Sequence, residues 1–469
     1  MATTRKRRTK VLEPLSKRGR KRAHSTRRER VREGQTLRRR VSRKSHGEWD
    51  LAAIRRDPIT ILEKSNQGRL PELVPIRYGR MVQSPFTFLR GSAAVMAYDL
   101  AKTPTTGHTV QACGDCHLLN FGLFATPERQ LVFDLNDFDE THPAPWEWDL
   151  KRLAVSIVVC GRDNKLSDAV ARMAVLECAD AYRNHMHECA RMTPMDVWYE
   201  RLDAAALIKN APDAEARKFR QQLATRARRR NVEHLFPKIA RSAGGHYRLV
   251  DQPPILFHVA ESDIAQRARA AMTAYRQTLS DDRRALLDRY RLVDFAVKVV
   301  GIGSVGTRCY IVLLVSDQDD PLLLQFKEAG RSVLEPYTKK SVYDNQGQRV
   351  VVGQRLMQSS SDIFLGWVRG RHGYDFYVRQ LRDMKMSVPI EGLSSARLYR
   401  YANICGWTLA RAHAKSGDPT MLSSYLGKGD KFDRALGRFA FAYADQTERD
   451  HTALVKAVQS GRVEVIADR

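Results

Sequence analysis

The sequence predicts an α+β protein behind a basic tail, and three stretches carry that expectation. Residues 113–149 place Asp115 and Asn120 in a punctuated loop, follow them with a hairpin pattern, and end in the carboxylates of Asn136-Asp137-Phe138-Asp139-Glu140. Residues 292–330 read as β-runs broken by Gly301-Ile-Gly303-Ser304-Val-Gly306, with Lys327 closing the last run. Residues 1–46 hold 19 Lys/Arg against 3 Asp/Glu, which is +16 of the chain's formal +26.

With 469 residues and 43% hydrophobic content, the chain has material for one large domain or two to three ordinary ones. Seven cysteines in so long a chain do not make a disulfide framework. No apolar run reaches membrane-spanning length, and the N-terminus lacks the apolar stretch of a secretory signal, so a reduced, cytoplasmic setting is expected. The tail has almost nothing apolar to bury. It is expected to be disordered alone and to make weak polyanion or nucleic-acid contacts through counterion release.

In chain order, residues 47–112 form a packed lead-in. Ser84 before Pro85 reads as a helix cap, with Phe86, Phe88 and Leu89 as core, and an Ala/Met-rich helix runs from about Ser92 to Ala101. Arg77, Arg80 and Arg90 are candidates to hold phosphate or a substrate carboxylate, and equally to be structural. Asn120 to Phe124 and Leu131 to Leu135 then read as strands joined at Thr126-Pro127-Glu128-Arg129. That hairpin brings the Asp115 and Asp137 loops to one end. An Asp that accepts a hydroxyl proton, an Asn five residues on and a second Asp form a set suited to metal-assisted phosphoryl transfer. Cys113 and Cys116 also have a redox or zinc spacing, but no second pair follows.

Residues 146–292 read as mostly helical. Trp146 to Val159 is apolar on one face, Ser167 caps a long helix toward Cys189, and 213–235 is a charged helix. His185, His187 and Glu188 lack a matching partner for a metal and read as an exposed face. Gly244-Gly245 and Pro253-Pro254 frame a hairpin, and 281–290 is again helical. A G-x-G-x-x-G in a dinucleotide fold opens a helix. Here it lies between strands, where its backbone N–H groups can approach phosphates closely. Asp362 to Val368 and Tyr374 to Leu381 read as further strands, and the chain from Ser394 reads as helical.

Asp115, Asn120 and Asp137-Phe138 resemble the protein-kinase set in order and spacing. Gly114, Asp115, His117 and Asn120 fit more closely the HGD-x-H-x-x-N loop of aminoglycoside phosphotransferases and choline kinases, with Cys113 standing where that loop has His. Asp149 resembles the later Asp that braces that loop, and Gly406 to His413 resembles the helix before it. The phosphate-side motifs follow the catalytic ones here, so the resemblance implies a circularly permuted, two-lobed protein-kinase-like fold. IRYGRM, SPFTFLRG, GDCHLLNFG, NDFDE and PWEWDLKRLAVS together resemble the bacterial family known as domain of unknown function 2252.

These resemblances imply an ATP- and Mg²⁺-dependent transferase. Asp115 would be the base, with His117 beside it. Asn120 and Asp137 would be metal ligands, assisted by Asp139. Gly301, Gly303, Ser304 and Gly306 would cover the phosphates, and Lys327 would anchor them. Lys327 should face Asp137 across a phosphate-wide gap, and the Leu409–His413 helix should pack on the Asp115 loop. The acceptor stays open, as do the choice between phosphoryl and nucleotidyl transfer and the helical Glu that would pair Lys327. Rival readings are an inactive nucleotide-binding scaffold and a basic nucleic-acid-binding protein. The expected divisions are a tail (1–46), a catalytic-loop lobe (47–292, with a helical insert 164–292), a β-rich nucleotide segment (293–385) and C-terminal helices (386–469).

Overall fold

The computed structural model describes residues 25–49, 57–243, 246–259, 264–299 and 301–466. Among the described residues the first element is helix α1 (Arg27–Arg40), started by a capping box in which Thr26 and Glu29 satisfy each other's backbone N–H groups. Strands β1 (Thr109–Ala112), β2 (Phe121–Ala125), β3 (Leu131–Leu135) and β4 (His142–Pro145) follow, then helices α2 (Trp146–Asp163) and α3 (Asp168–Cys189). Strands β5 (Leu202–Asp203), β6 (Ala240–Ala243), β7 (His246–Leu249), β8 (Leu256–Phe257), β9 (Tyr290–Lys298), β10 (Cys309–Ser316) and β11 (Pro321–Glu328) come next. Helix α4 (Gln346–Met357), strands β12 (Gly366–Arg369), β13 (Asp375–Gln380) and β14 (Met386–Ser387), and helices α5 (Ser395–Ser416), α6 (Pro419–Leu426) and α7 (Lys431–Gln459) complete the chain.

The helical body is built on α2, which is buried from Trp146 to Gly161 and packs α3, α5 and α7 around it. A helix enclosed on every side belongs to the middle of a large core. Against this body lies a small antiparallel sheet ordered β14-β2-β3-β5. Arg411 of α5 and Asp134 of β3 tie the two together as a fully buried ion pair.

The second layer is a six-stranded antiparallel sheet, β12-β13-β11-β10-β9-β8. The unbroken apolar run Ile311–Val315 is explained by cover on both faces. Val312 and Leu314 face the cluster with Tyr275 and Leu279, while Ile311, Leu313 and Val315 face the cluster with Ile239 and Leu249. The sheet and its helical cover therefore reach back to Leu256, ahead of the expected start at 293, because helices Ile264–Arg276 and Asp281–Leu287 and the turn between them bury Tyr275, Leu287 and Leu279 against it. Residues 213–235 are two helices, Ala214–Arg228 and Val232–Ile239, parted where Asn231 starts the second as its cap.

The disordered-tail expectation for residues 1–24 lies outside the described residues, whereas from Ser25 onward it is corrected. Arg38 donates to the carbonyls of Ser424 and Tyr425, the second at 3.0 Å, and Arg43 donates to Leu426 O at 2.5 Å. These are the last carbonyls of α6, which lack partners within that helix. Gly34 lies against Met421 O, and buried His46 meets the Tyr425 hydroxyl at 2.6 Å. The segment is docked by arginines on a helix C-terminus, a force that a count of apolar residues overlooks.

Candidate active site

The Asp115 loop is hung from the helical body by its backbone. Asp149 of α2 accepts from Cys113 N at 2.6 Å and from Gly114 N at 2.9 Å, and His413 Nε2 of α5 lies 3.3 Å from the same carboxylate. Tyr182 of α3 holds the other ring nitrogen of His413 at 2.9 Å. Gly114 has φ +85°, and a Cβ there would meet Glu140 O at 2.3 Å, so the turn requires glycine. The α5 helix thus packs on the Asp115 loop as its sequence led us to expect.

Asp115 Oδ1 is held by Arg152, whose Nε lies 2.7 Å away, while Oδ2 faces His117 Nε2 at 3.6 Å. Burial, together with Arg90 and Arg152, pushes the His117 pKa down to about 4 against the opposing pull of Asp115, so the ring is neutral near pH 7. Asn120 ties the two loops. Its Nδ2 donates to Asp115 O at 3.2 Å and Asp137 O at 3.0 Å, and its Oδ1 accepts from Asp137 N at 2.6 Å. That leaves one lone pair on Oδ1 for any further ligand.

From the sheet side, Lys327 on β11 reaches the same point. Its Nζ contacts Asp139 Oδ2 and lies 3.9 Å from Asp137 Oδ1. Tyr377 donates to Asp139 Oδ1 at 2.7 Å, and Ser304 of the glycine loop donates to Oδ2 at 2.9 Å. Burial would raise the Asp137 pKa, but Lys327, Lys385 and Arg379 overcome it and hold it at about 2. The same carboxylates and Tyr377 more than offset the burial of Lys327, and its pKa rises. The expected phosphate-wide gap between Lys327 and Asp137 is corrected to 3.9 Å, with Asp139 contacting the ammonium, since a nearly buried ammonium attracts the two partly exposed carboxylates.

The glycine loop joins β9 and β10 and is pinned from outside. Arg69 donates to Val305 O at 2.5 Å, Leu70 N to Gly306 O at 2.7 Å, and Arg80 to Gly301 O. Gly306 has φ +89°, with Arg69 methylenes at 3.0–3.5 Å from where a Cβ would stand. Gly303 approaches the 69–91 segment near Arg90 O.

A profile of the bacterial family described as "uncharacterized protein conserved in bacteria", DUF2252, matches residues 69–457. The chain belongs to that family. No curated protein and no solved structure matches it.

In this DUF2252 chain the structure brings Asp115, His117, Asn120, Asp137, Asp139, Ser304 and Lys327 to one cluster, with Gly301, Gly303 and Gly306 in the loop beside it. The helical Glu sought for Lys327 does not take that place: Glu328 pairs with Arg308 and Glu335 with Arg331, and Asp139 is the partner. Helix α4 supplies Arg349 instead, which donates to Asp139 O at 2.8 Å and Gly330 O at 2.9 Å. Sequence reading also missed Arg152, Tyr377, Arg379 and Lys385. Arg152 lies three residues after Asp149 on one helix face, and Tyr377 stands opposite Lys327 in the ladder, so periodicity carried a signal for both. For Lys385, in the connection from β13 to β14, no periodic signal exists.

Cys113 and Cys116 are free and buried, and burial with neighbouring carboxylate charge pushes the Cys116 thiol up, which does not favour a reactive dithiol. Among the described residues, no helix is long and apolar enough to cross a membrane.

Proposed function

We propose that this chain is an ATP- and Mg²⁺-dependent phosphotransferase with the parts of a protein-kinase-like fold in circularly permuted order. The observation that carries the reading is Lys327 Nζ lying between Asp137 and Asp139, two residues reached from 188 or more positions away in sequence. A glycine-turn hairpin beside a strand lysine, and carboxylates at the end of a second hairpin, is what a triphosphate clamp requires.

The residues fit the implied ion. Asp137 Oδ1 is a buried oxygen without a hydrogen-bond partner, and Asp139 adds a second carboxylate of the hard-donor type that Mg²⁺ takes. Asp137 and Asp139 would hold the metal, with the spare lone pair of Asn120 Oδ1 beside them. Bound there, the ion would neutralise phosphate charge. Lys327, released from Asp139 by that exchange, would pair with phosphate oxygens. Arg152 orients Asp115 so that Oδ2 is the free oxygen. It accepts the proton of the acceptor hydroxyl as that oxygen bonds to phosphorus and the bond to the leaving nucleoside diphosphate breaks.

Asp115→Asn tests the assignment. It should retain nucleotide binding while phosphoryl transfer from labelled ATP to small-molecule, protein or lipid acceptor pools falls by roughly 10²–10⁴. Unchanged transfer in that variant removes Asp115 from the role. Binding without transfer in the wild type would reduce the chain to a nucleotide-binding scaffold.

A further inference from the structure

A second cluster of chemically able side chains lies in the helical body on α3, outside the set just described. His185 and Cys189 are one helical turn apart, and both are almost fully buried. The turn after α3 folds back through the short helix Pro194–Tyr199, started by a Thr193–Asp196 capping box, and delivers Glu200 to the same point. The expectation of an exposed face is therefore corrected for His185, whose buried ring lies beside Cys189 and Glu200, while Glu188 is exposed as expected.

Three donor atoms converge. Nε2 of His185 is 2.9 Å from Glu200 Oε2 and 3.5 Å from Cys189 Sγ, and Sγ is 3.8 Å from the same carboxylate oxygen. A tetrahedral zinc ion, with bonds of ~2.0–2.1 Å to nitrogen and oxygen and ~2.3 Å to sulfur, sets edges of roughly 3.3 Å between N and O and roughly 3.5 Å to sulfur. The three observed edges already approximate that triangle. The far side of the ring is also prepared, since His185 Nδ1 lies 2.7 Å from Glu188 Oε2 and the ring stacks on Trp407 at 3.9 Å between centroids. A carboxylate on Nδ1 fixes the tautomer that leaves the Nε2 lone pair for a metal. Without a cation or a proton, Nε2 and Glu200 would be two acceptors facing each other.

We propose that His185 Nε2, the Cys189 thiolate and a Glu200 carboxylate oxygen bind one borderline-soft divalent transition metal, of the Zn²⁺ class, pinning the Ala190–Glu200 turn onto α3. Binding releases the Cys189 proton to solvent. Glu200, whose side chain is 18% exposed, gives the ion its way in. The site is independent of the nucleotide reading.

The test uses the full chain, stripped with chelator and titrated with Co²⁺. One equivalent should bind with a thiolate-to-cobalt charge-transfer band, Zn²⁺ should displace it, and the melting temperature should rise with metal. Cys189→Ser should abolish the band. Glu200→Gln, nearly isosteric at a partly exposed position, should weaken Co²⁺ at least tenfold, and Glu188→Gln should do so by about 10–100-fold. Cys116→Ser should leave the band unchanged. Absence of the band in folded wild type, its survival in Cys189→Ser, or its loss in Cys116→Ser would each overturn the proposal. Should Cys189→Ser not fold, unaltered affinity in Glu200→Gln overturns it equally.

Discussion

The Asp115 loop is tied to Asp137 through Asn120 and the glycine loop to Asp139 through Ser304, yet they are held in opposite ways. Around Asp115 every fastening comes from the interior: the Asp149 carboxylate, the Asn120 amide and the Arg152 guanidinium are all buried. Around Gly301–Gly306 the fastenings are arginines and a backbone N–H of the 69–80 segment, plus one hydroxyl contact from Ser304. Interior fastening fixes a geometry, while peripheral fastening lets a segment lift. Under the proposed function this division suits a base that must be held still and a phosphate cover that must admit its ligand.

Asp149→Ala should have the largest effect. It strips two buried N–H groups and His413 of their acceptor, and about 3 kcal/mol or more of unfolding free energy should be lost in denaturant titration. A loss well below that would put the Asp115 loop in the same class as the glycine loop. Gly306→Ala comes next. The positive φ and the Arg69 methylenes should cost about 1–2 kcal/mol. Native-state hydrogen exchange should quicken around 301–307 and leave 113–120 unaltered; spread of the effect to both loops would erase the distinction.

The smallest effect concerns Lys385, which donates to the carbonyl just ahead of Asp137. Burial, reinforced by Arg379, pushes its pKa down to about 7 from the ordinary 10.5. Between those values the unfolded chain binds more protons, so stability rises with pH across that window. Lys385→Met should shallow this slope in melts between pH 7 and 10. Buried Lys151, also pushed down to about 7, retains the remainder.

The amount legible in the sequence differs by the kind of force involved. Hairpin β2–β3 and the caps at Ser84 and Ser167 were readable, because local pattern and local chemistry agree there, while the brace at Asp149 came from the phosphotransferase resemblance alone. The strands of the antiparallel β9–β10–β11 meander were readable from the same local agreement. The docking of α1 was not, since it rests on Arg38 and Arg43 reaching carbonyls some 380 positions away. Nor was the pairing of Lys327 with Asp139 in place of a helical Glu: two carboxylates, Asp137 and Asp139, competed for one ammonium, and only the backbone of 136–141, clamped by Arg349, decides between them. The Glu200 partner of His185 was hidden by an intervening turn whose direction no periodicity encodes.

Under the proposed function Lys327 and Asp137 belong to one nucleotide clamp. Isothermal titration of the folded chain with a non-hydrolysable ATP analogue and Mg²⁺ addresses it most directly. Wild type should bind one equivalent. Lys327→Ala and Asp137→Ala should each weaken binding at least tenfold, the second also flattening its dependence on Mg²⁺ concentration. Absence of binding to folded wild type, or equal affinity in all three proteins, would contradict the account.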